Sequence, residues 1–211
     1  MIGIKMRYLH KIMYMKKLNK EQVEDILLGI GCDNYNRWET FCSLCRDYEL
    51  SDEAYNYGLN LAYTCGNAGK DAFFYFCDPR VSMELLMEKD EFEEYKKLPN
   101  ELTVFRGCNL VEAEIGDWGI SWTTERKVAE FFAFRFENHD GRVYGIDIDK
   151  RDILAFFNDR NEFEVIINPY DCWSVPYIVT DKPTELYVEY ACDRLYISEK
   201  KDEIKQMIKD W

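Results

Sequence analysis

The order of apolar patterns predicts an α+β fold, with a helical first hundred residues followed by a compact, mostly antiparallel β core. Three observations predict it. Up to Pro99 apolar residues recur at helical spacing behind capping residues. After Pro99, short runs of β-branched and aromatic residues alternate with turn-like or charged stretches. Finally, 211 residues with 47% hydrophobic and 16% aromatic content are enough to bury a core, which argues against global disorder. The expected division is a helical lobe over 1–98 and a core over 99–211. No Gly/Ser linker, repeat or low-complexity tract separates them. The lobe is therefore expected to pack on the core, to supply one wall of its cleft or the acceptor surface, and not to fold independently.

The elements follow in order. Asn19 can cap a helix whose apolar face is Val23, Ile26, Leu27 and Ile30. Ser51 can cap a second, with Tyr55, Leu59, Ala62 and Tyr63 on one side. Asp78 and Pro79 read as the start of a third, running through VSMELLMEKDEFEEYKK. Beyond Pro99 the runs LTVF, GISWT, RVYGIDI, ILAFF, EVIIN, PYIVT and ELYVEYA read as strands. One helix interrupts them after Thr124, which is its expected cap, and Ile204, Met207, Ile208 and Trp211 mark a terminal helix capped by Ser198.

Charge and cysteine content narrow the function classes. The net charge is −13, yet the first twenty residues carry Lys5, Arg7, Lys11, Lys16, Lys17 and Lys20 and no acid. The rest is strongly acidic, which repels a phosphate backbone and disfavours general nucleic-acid binding. The basic head reads first as the solvated start of a helix, and second as a contact for an acidic partner, a nucleic acid or a membrane surface. No stretch is apolar enough to span a membrane, and MIGIKMRYLHKIMYM breaks its apolar runs with Lys and Arg too often for a signal-peptide core. A cytoplasmic protein is expected. Eight cysteines then read as reduced thiols, and the lone CxxC of Cys42 and Cys45 as helix packing and not as a metal site.

Three short pieces of the β half carry chemistry together. LTVFRG at 102–107 is a strand ending in Arg106 and Gly107. ISWTT at 120–124 runs directly into ERKVAEFFAFR, and RNEFEVIINP at 160–169 sets Glu162 and Glu164 at the entry to an apolar strand. Each alone has an ordinary explanation: a surface ion pair, a helix cap, the solvated acids of an edge strand. Their combination and order resemble the arginine–serine–glutamate class of mono-ADP-ribosyltransferases (the ExE type), which includes binary bacterial toxins and vertebrate ecto-enzymes. The resemblance covers about residues 100–170, with Ser121 and Glu164 43 residues apart as in compact members.

The resemblance implies a core of two small, mainly antiparallel sheets, with NAD as a substrate and no metal. Arg106, with Gly107 beside it, would hold NAD through its phosphates and ribose. The family's Ser-Thr-Ser falls on Ser121, Trp122 and Thr123, keeping the outer hydroxyls and placing a large apolar residue where the opposite strand face can take it. By spacing, Phe132 would pack on the nicotinamide and Arg135 would contact a phosphate. Glu164 would be catalytic and Glu162 would face the acceptor, which for the family is most often protein arginine. Strand alternation lets the two glutamates share one cleft if the chain between them is extended. Protein is favoured over nucleic acid as acceptor. A nucleic-acid base, water (an NAD glycohydrolase) and an inactive module on the same fold are the alternatives. A toxin or phage-related effector of this kind implies a neutralising partner such as an antitoxin.

Overall fold

The computed structural model describes residues 16–116, 118–158, 160–195, 200–209 and 211. Most of the basic head and the expected cap Ser198 lie outside the described residues. Contacts within the chain fall into two units, one up to Phe92 and one from Glu93 onward. Among the described residues, no helix is long and apolar enough to cross a membrane.

The first unit is helical. Its helices are α1 (Lys20–Leu27), α2 (Arg37–Asp47), α3 (Asp52–Thr64), α4 (Ala72–Phe76) and α5 (Met83–Leu86), and α6 (Lys89–Lys97) begins in it. β1 (Lys17–Leu18) pairs in parallel with β2 (Glu49–Leu50). Asn19 and Gln22 form a reciprocal capping box on α1 at 3.0 and 3.1 Å. Val23 and Leu27 are buried, whereas Ile26 within the helix and Ile30 beyond its end at Leu27 are exposed instead of completing its apolar face. Ser51 caps α3 by accepting the Ala54 N–H, and Tyr55, Leu59 and Ala62 are buried.

The helix expected from Asp78 is two helices. Asp78 pairs with Arg80 at 2.8 Å and caps neither. Met87 between them is extended and buried, the Leu86 carbonyl accepts the Asn60 amide at 2.7 Å, and the Glu88 N–H donates to Glu91. Side chains thus take over the bonds that a continuous helix would have made, which periodicity cannot show. Cys42 and Cys45 lie half-buried on α2, where burial pushes the Cys45 thiol up to about 12. A neutral thiol there packs as a small hydrophobe.

The second unit is built on one six-stranded antiparallel sheet in the order β6-β7-β4-β3-β5-β8. The strands are β3 (Glu101–Asn109), β4 (Ser121–Thr123), β5 (Gly141–Asp149), β6 (Ile153–Phe157), β7 (Glu164–Ile167) and β8 (Tyr177–Thr180). β3 and β5 pair along their whole length, whereas β3 meets β4 only at Phe105 and Thr123. One continuous sheet thus stands where two small sheets were expected, and its halves β6-β7-β4 and β3-β5-β8 meet at one register pair.

The helices of this unit are α7 (Leu110–Glu114), α8 (Arg126–Phe134), α9 (Glu185–Leu195) and α10 (Lys201–Lys209). The strand expected over ELYVEYA is a helix, α9. The Thr184 hydroxyl accepts the Leu186 N–H, and Tyr187, Val188, Ala191 and Cys192 bury one face against α8. Tertiary packing overrides the β propensity of a Tyr- and Val-rich run. Nor is Thr124 the cap of α8: Glu125 is the capping position, and the Thr123 hydroxyl accepts its N–H at 3.0 Å. Ile204, Ile208 and Trp211 pack on the same cluster as α8 and α9.

Gly107 lets α8 approach the sheet closely, since a Cβ there would lie 2.0 Å from the Ala129 carbonyl oxygen. Fully buried Glu130 ties α8 to the start of α9. It accepts the Thr184 N–H at 3.0 Å and hydroxyl at 2.7 Å, and pairs with Arg126 at 2.9 Å. Glu130→Ala is expected to lower unfolding stability by about 1.5–3 kcal/mol, because buried donors lose a charged acceptor. Urea denaturation checks this, and an unchanged midpoint would remove Glu130 from the framework.

Candidate functional site

A cavity of about 180 Å³ opens where the two half-sheets meet. Of the expected site residues, Arg106, Gly107, Ser121, Thr123, Phe132, Glu162 and Glu164 line it. Arg135 lies outside the lining, exposed, with its guanidinium 4.6 Å from the centre of the Phe132 ring. Trp122 is buried between the two hydroxyl-bearing residues, borders the same cavity, and donates its indole N–H to the Gly119 carbonyl at 2.9 Å.

Strand pairing builds the centre of the site. β4 lies antiparallel to β7 with Ser121 opposite Ile166 and Thr123 opposite Glu164. The Ser121 hydroxyl donates to Glu164 Oε1 at 2.5 Å, a charge-assisted bond that fixes one carboxylate oxygen. The Thr123 hydroxyl donates to the Glu162 carbonyl at 2.7 Å and so holds the chain two residues upstream.

Arg106 enters from β3. Nη1 donates to the Ser121 carbonyl at 2.7 Å, while Nε and Nη2 both donate to Glu112 Oε1, at 2.8 and 2.5 Å. These bonds use three of the guanidinium's five donors. Room for the group comes from Gly119, where a Cβ would sit 2.6 Å from Arg106 Nη2. The fork that was expected to grip NAD phosphates is thus engaged by Glu112 and by the backbone of the serine strand.

The glutamate-bearing turn does not meet the condition of an extended chain between the two acids. Asn161 and Phe163 flank Glu162 at φ 54° and 48°, left-handed values that Asn tolerates and Phe does not. Glu162 and Glu164 nevertheless both line the cavity, each 8% exposed. Surrounding bonds hold this turn in place. The Asn158 side chain accepts the Phe163 N–H at 3.2 Å and donates to Glu94 at 2.9 Å. The Phe163 carbonyl accepts the Thr124 N–H, and Tyr190 of α9 donates to the Asn161 carbonyl.

Two arginines close the arrangement. Arg194 Nη2 reaches Glu162 Oε1 at 2.6 Å, and its Nη1 donates to the Arg160 carbonyl. Arg160 Nη2 lies 3.0 Å from Glu162 Oε2 and 3.8 Å from Glu164 Oε2. Three arginines (106, 160 and 194) therefore face three glutamates (112, 162 and 164), a locally balanced site in a chain of net charge −13.

Sequence reasoning missed Glu112, Arg160 and Arg194. Arg160 stands in the RNEFEVIINP piece itself, and its proximity to both acids was the available signal. Arg194 follows a run read as a strand, and no spacing rule brings Glu112 onto Arg106. No protein family, curated protein or solved structure matches the chain.

Arg194→Ala is expected to lower stability by roughly 1–2 kcal/mol, the partly exposed pair being discounted for solvent. Amide hydrogen exchange should quicken at residues 160–163 and not along β3 and β5. Equal quickening throughout the sheet would show that Arg194 does not act on the turn.

Proposed function

We propose that the chain is an NAD-dependent mono-ADP-ribosyltransferase, which moves ADP-ribose from NAD to a macromolecular acceptor and releases nicotinamide. One observation carries the reading. Residues from three separate segments, grouped by the resemblance of their motifs and order, meet at a single cavity, with Ser121 bonded to Glu164 and Arg106 to the Ser121 carbonyl.

The chemistry gives each residue a role. Nicotinamide leaves as a neutral pyridine, so the ribose carbon becomes oxocarbenium-like as its bond stretches, as in glycoside hydrolysis. A fixed carboxylate near that carbon stabilises the developing charge. At about 4 Å and an effective dielectric near 20, a unit pair is worth roughly 4 kcal/mol, on the order of a thousandfold in rate. Glu164 takes that role, with one oxygen fixed by Ser121 and the other turned toward the cavity side where Arg160 lies. Glu162 takes the acceptor side, where a carboxylate binds a guanidinium and accepts its proton.

The dinucleotide is an anion, and the arginines at the cavity offset the repulsion expected from an acidic surface. Arg106 would meet a phosphate through its remaining donors or by exchanging Glu112 for it. A cavity of about 180 Å³ is smaller than the roughly 300–1,000 Å³ of a whole small-molecule site, so it suits the nicotinamide end. Phe132 on its wall offers a ring for stacking. A protein acceptor is favoured over a nucleic acid on the same charge argument, with arginine the favoured side chain. The reading extends to a toxin or phage-related effector that acts in a cytoplasm and is held in check by a neutralising protein.

The test is incubation of the chain with labelled NAD and a cell lysate, followed by protease or nuclease. Label released by protease alone supports the reading; label released by nuclease alone moves the acceptor to nucleic acid. Glu164→Gln should leave the fold intact and slow nicotinamide release by about a thousandfold or more. Release within tenfold of wild type would sink the assignment. Arg106→Lys should weaken NAD binding by roughly 1–3 kcal/mol, because a point charge cannot hold Glu112, Ser121 and a phosphate as a planar fork does. An unchanged dissociation constant in calorimetric titration would return Arg106 to a purely structural place.

A further inference from the structure

Glu162 has both carboxylate oxygens engaged, and the two cations that engage them differ in kind. Arg194 is anchored: its side chain is 31% exposed and it also donates to the Arg160 carbonyl, which ties it to the turn as a brace. Arg160 lines the cavity, is 53% exposed, and bridges toward both carboxylates with one nitrogen, Nη2. That nitrogen stands between the proposed proton acceptor and the proposed stabiliser of the ribose carbon. An incoming guanidinium on the same carboxylate would have to displace it.

We propose that Arg160 is the chain's own acceptor and becomes ADP-ribosylated on its guanidinium. The inference rests on the transferase reading and adds a modification site to it. Of the nearby arginines only Arg160 meets the requirements. Arg106 bonds Glu112 and the Ser121 carbonyl and is the proposed phosphate contact, and Arg135 stacks on Phe132 outside the cavity lining. A nucleophile already held beside the reacting carbon reacts as part of the same molecule, with the high effective molarity of a positioned intramolecular group.

The step balances without a further reagent. Arg160 Nη2 gives a proton to the Glu162 carboxylate and its electron pair forms the N–C bond to the ribose carbon. The C–N bond to nicotinamide breaks, and that electron pair leaves with neutral nicotinamide. Glu162 then loses its proton to water. The product carries two phosphates at the cavity mouth and no longer presents a simple guanidinium to Glu162, so modification limits further turnover at the same site.

The experiment uses the purified full chain with NAD alone. Nicotinamide release is followed beside peptide mapping by mass spectrometry, over a range of protein concentrations. The expected result is one adduct, on Arg160, formed at a rate per chain that does not change with protein concentration. It should be lost in Glu164→Gln and in Arg160→Gln. Nicotinamide release from wild type with Arg160 unmodified overturns the inference and leaves the transferase reading standing. So does an adduct on Arg160 whose rate per chain rises with protein concentration, since one chain would then be modifying another. An absence of both nicotinamide release and adduct also overturns the inference, and labelling of a lysate acceptor then decides the transferase reading by itself.

Discussion

Between β3 and β4 the sheet is held by one register pair and one side chain. Phe105 and Thr123 make the only backbone pairing, and Arg106 adds a second tie by donating to the Ser121 carbonyl at 2.7 Å. A full ladder at this place would close the two half-sheets against each other and leave no cavity between them. A junction without Arg106 would leave the short strand β4 tied to β3 at a single pair, beside its fuller pairing with β7. The arginine thus replaces missing ladder bonds at a distance from the backbone, and the space it preserves is the site. Its own position depends on the absence of a side chain at Gly119 and on the Glu112 carboxylate.

The turn before β7 is the complement of that junction. Two non-glycine residues in left-handed conformation, each costing on the order of 1–3 kcal/mol, persist only where the surroundings over-determine them. Here the surroundings are Asn158, Thr123, Thr124, Tyr190 and Arg194, which between them engage the backbone or side chains on both flanks of Glu162. A relaxed extended turn would carry its two acids by strand alternation alone. The strained one brings Glu162 under Arg194 and Arg160 while Glu164 remains on Ser121. Helix α9 matters to the site for this reason, since it supplies both Tyr190 and Arg194.

The electrostatics follow from the same packing. A chain of net charge −13 would not be expected to receive an anion, yet charges at the cavity nearly cancel. Each arginine there is paired with a glutamate, so the site holds three guanidinium groups with their charge offset. Such pairs can exchange one anion for another, which is the property a phosphate-bearing substrate would use.

Local chemistry that acts within a few residues was legible from the sequence. Asn19 and Ser51 cap their helices because a capping side chain needs only the N–H groups of the next turn. The family resemblance of their three segments singled out Arg106, Ser121 and Glu164, which the pairing of β3 with β4 and of β4 with β7 brings to one cavity. Tertiary structure alone decided the rest. ELYVEYA is a helix because α8 offers a surface for its buried face, and the run after Asp78 breaks at Met87 because Asn60 takes a carbonyl from it. Arg194 joins the site through partners thirty-two and thirty-four residues away, Glu162 and the Arg160 carbonyl, and the folded turns set which way Glu112 and Arg160 face. Periodicity and propensity report the chain's near neighbours; a carboxylate's counter-ion is set by which surfaces pack, and that exists only once the chain has folded.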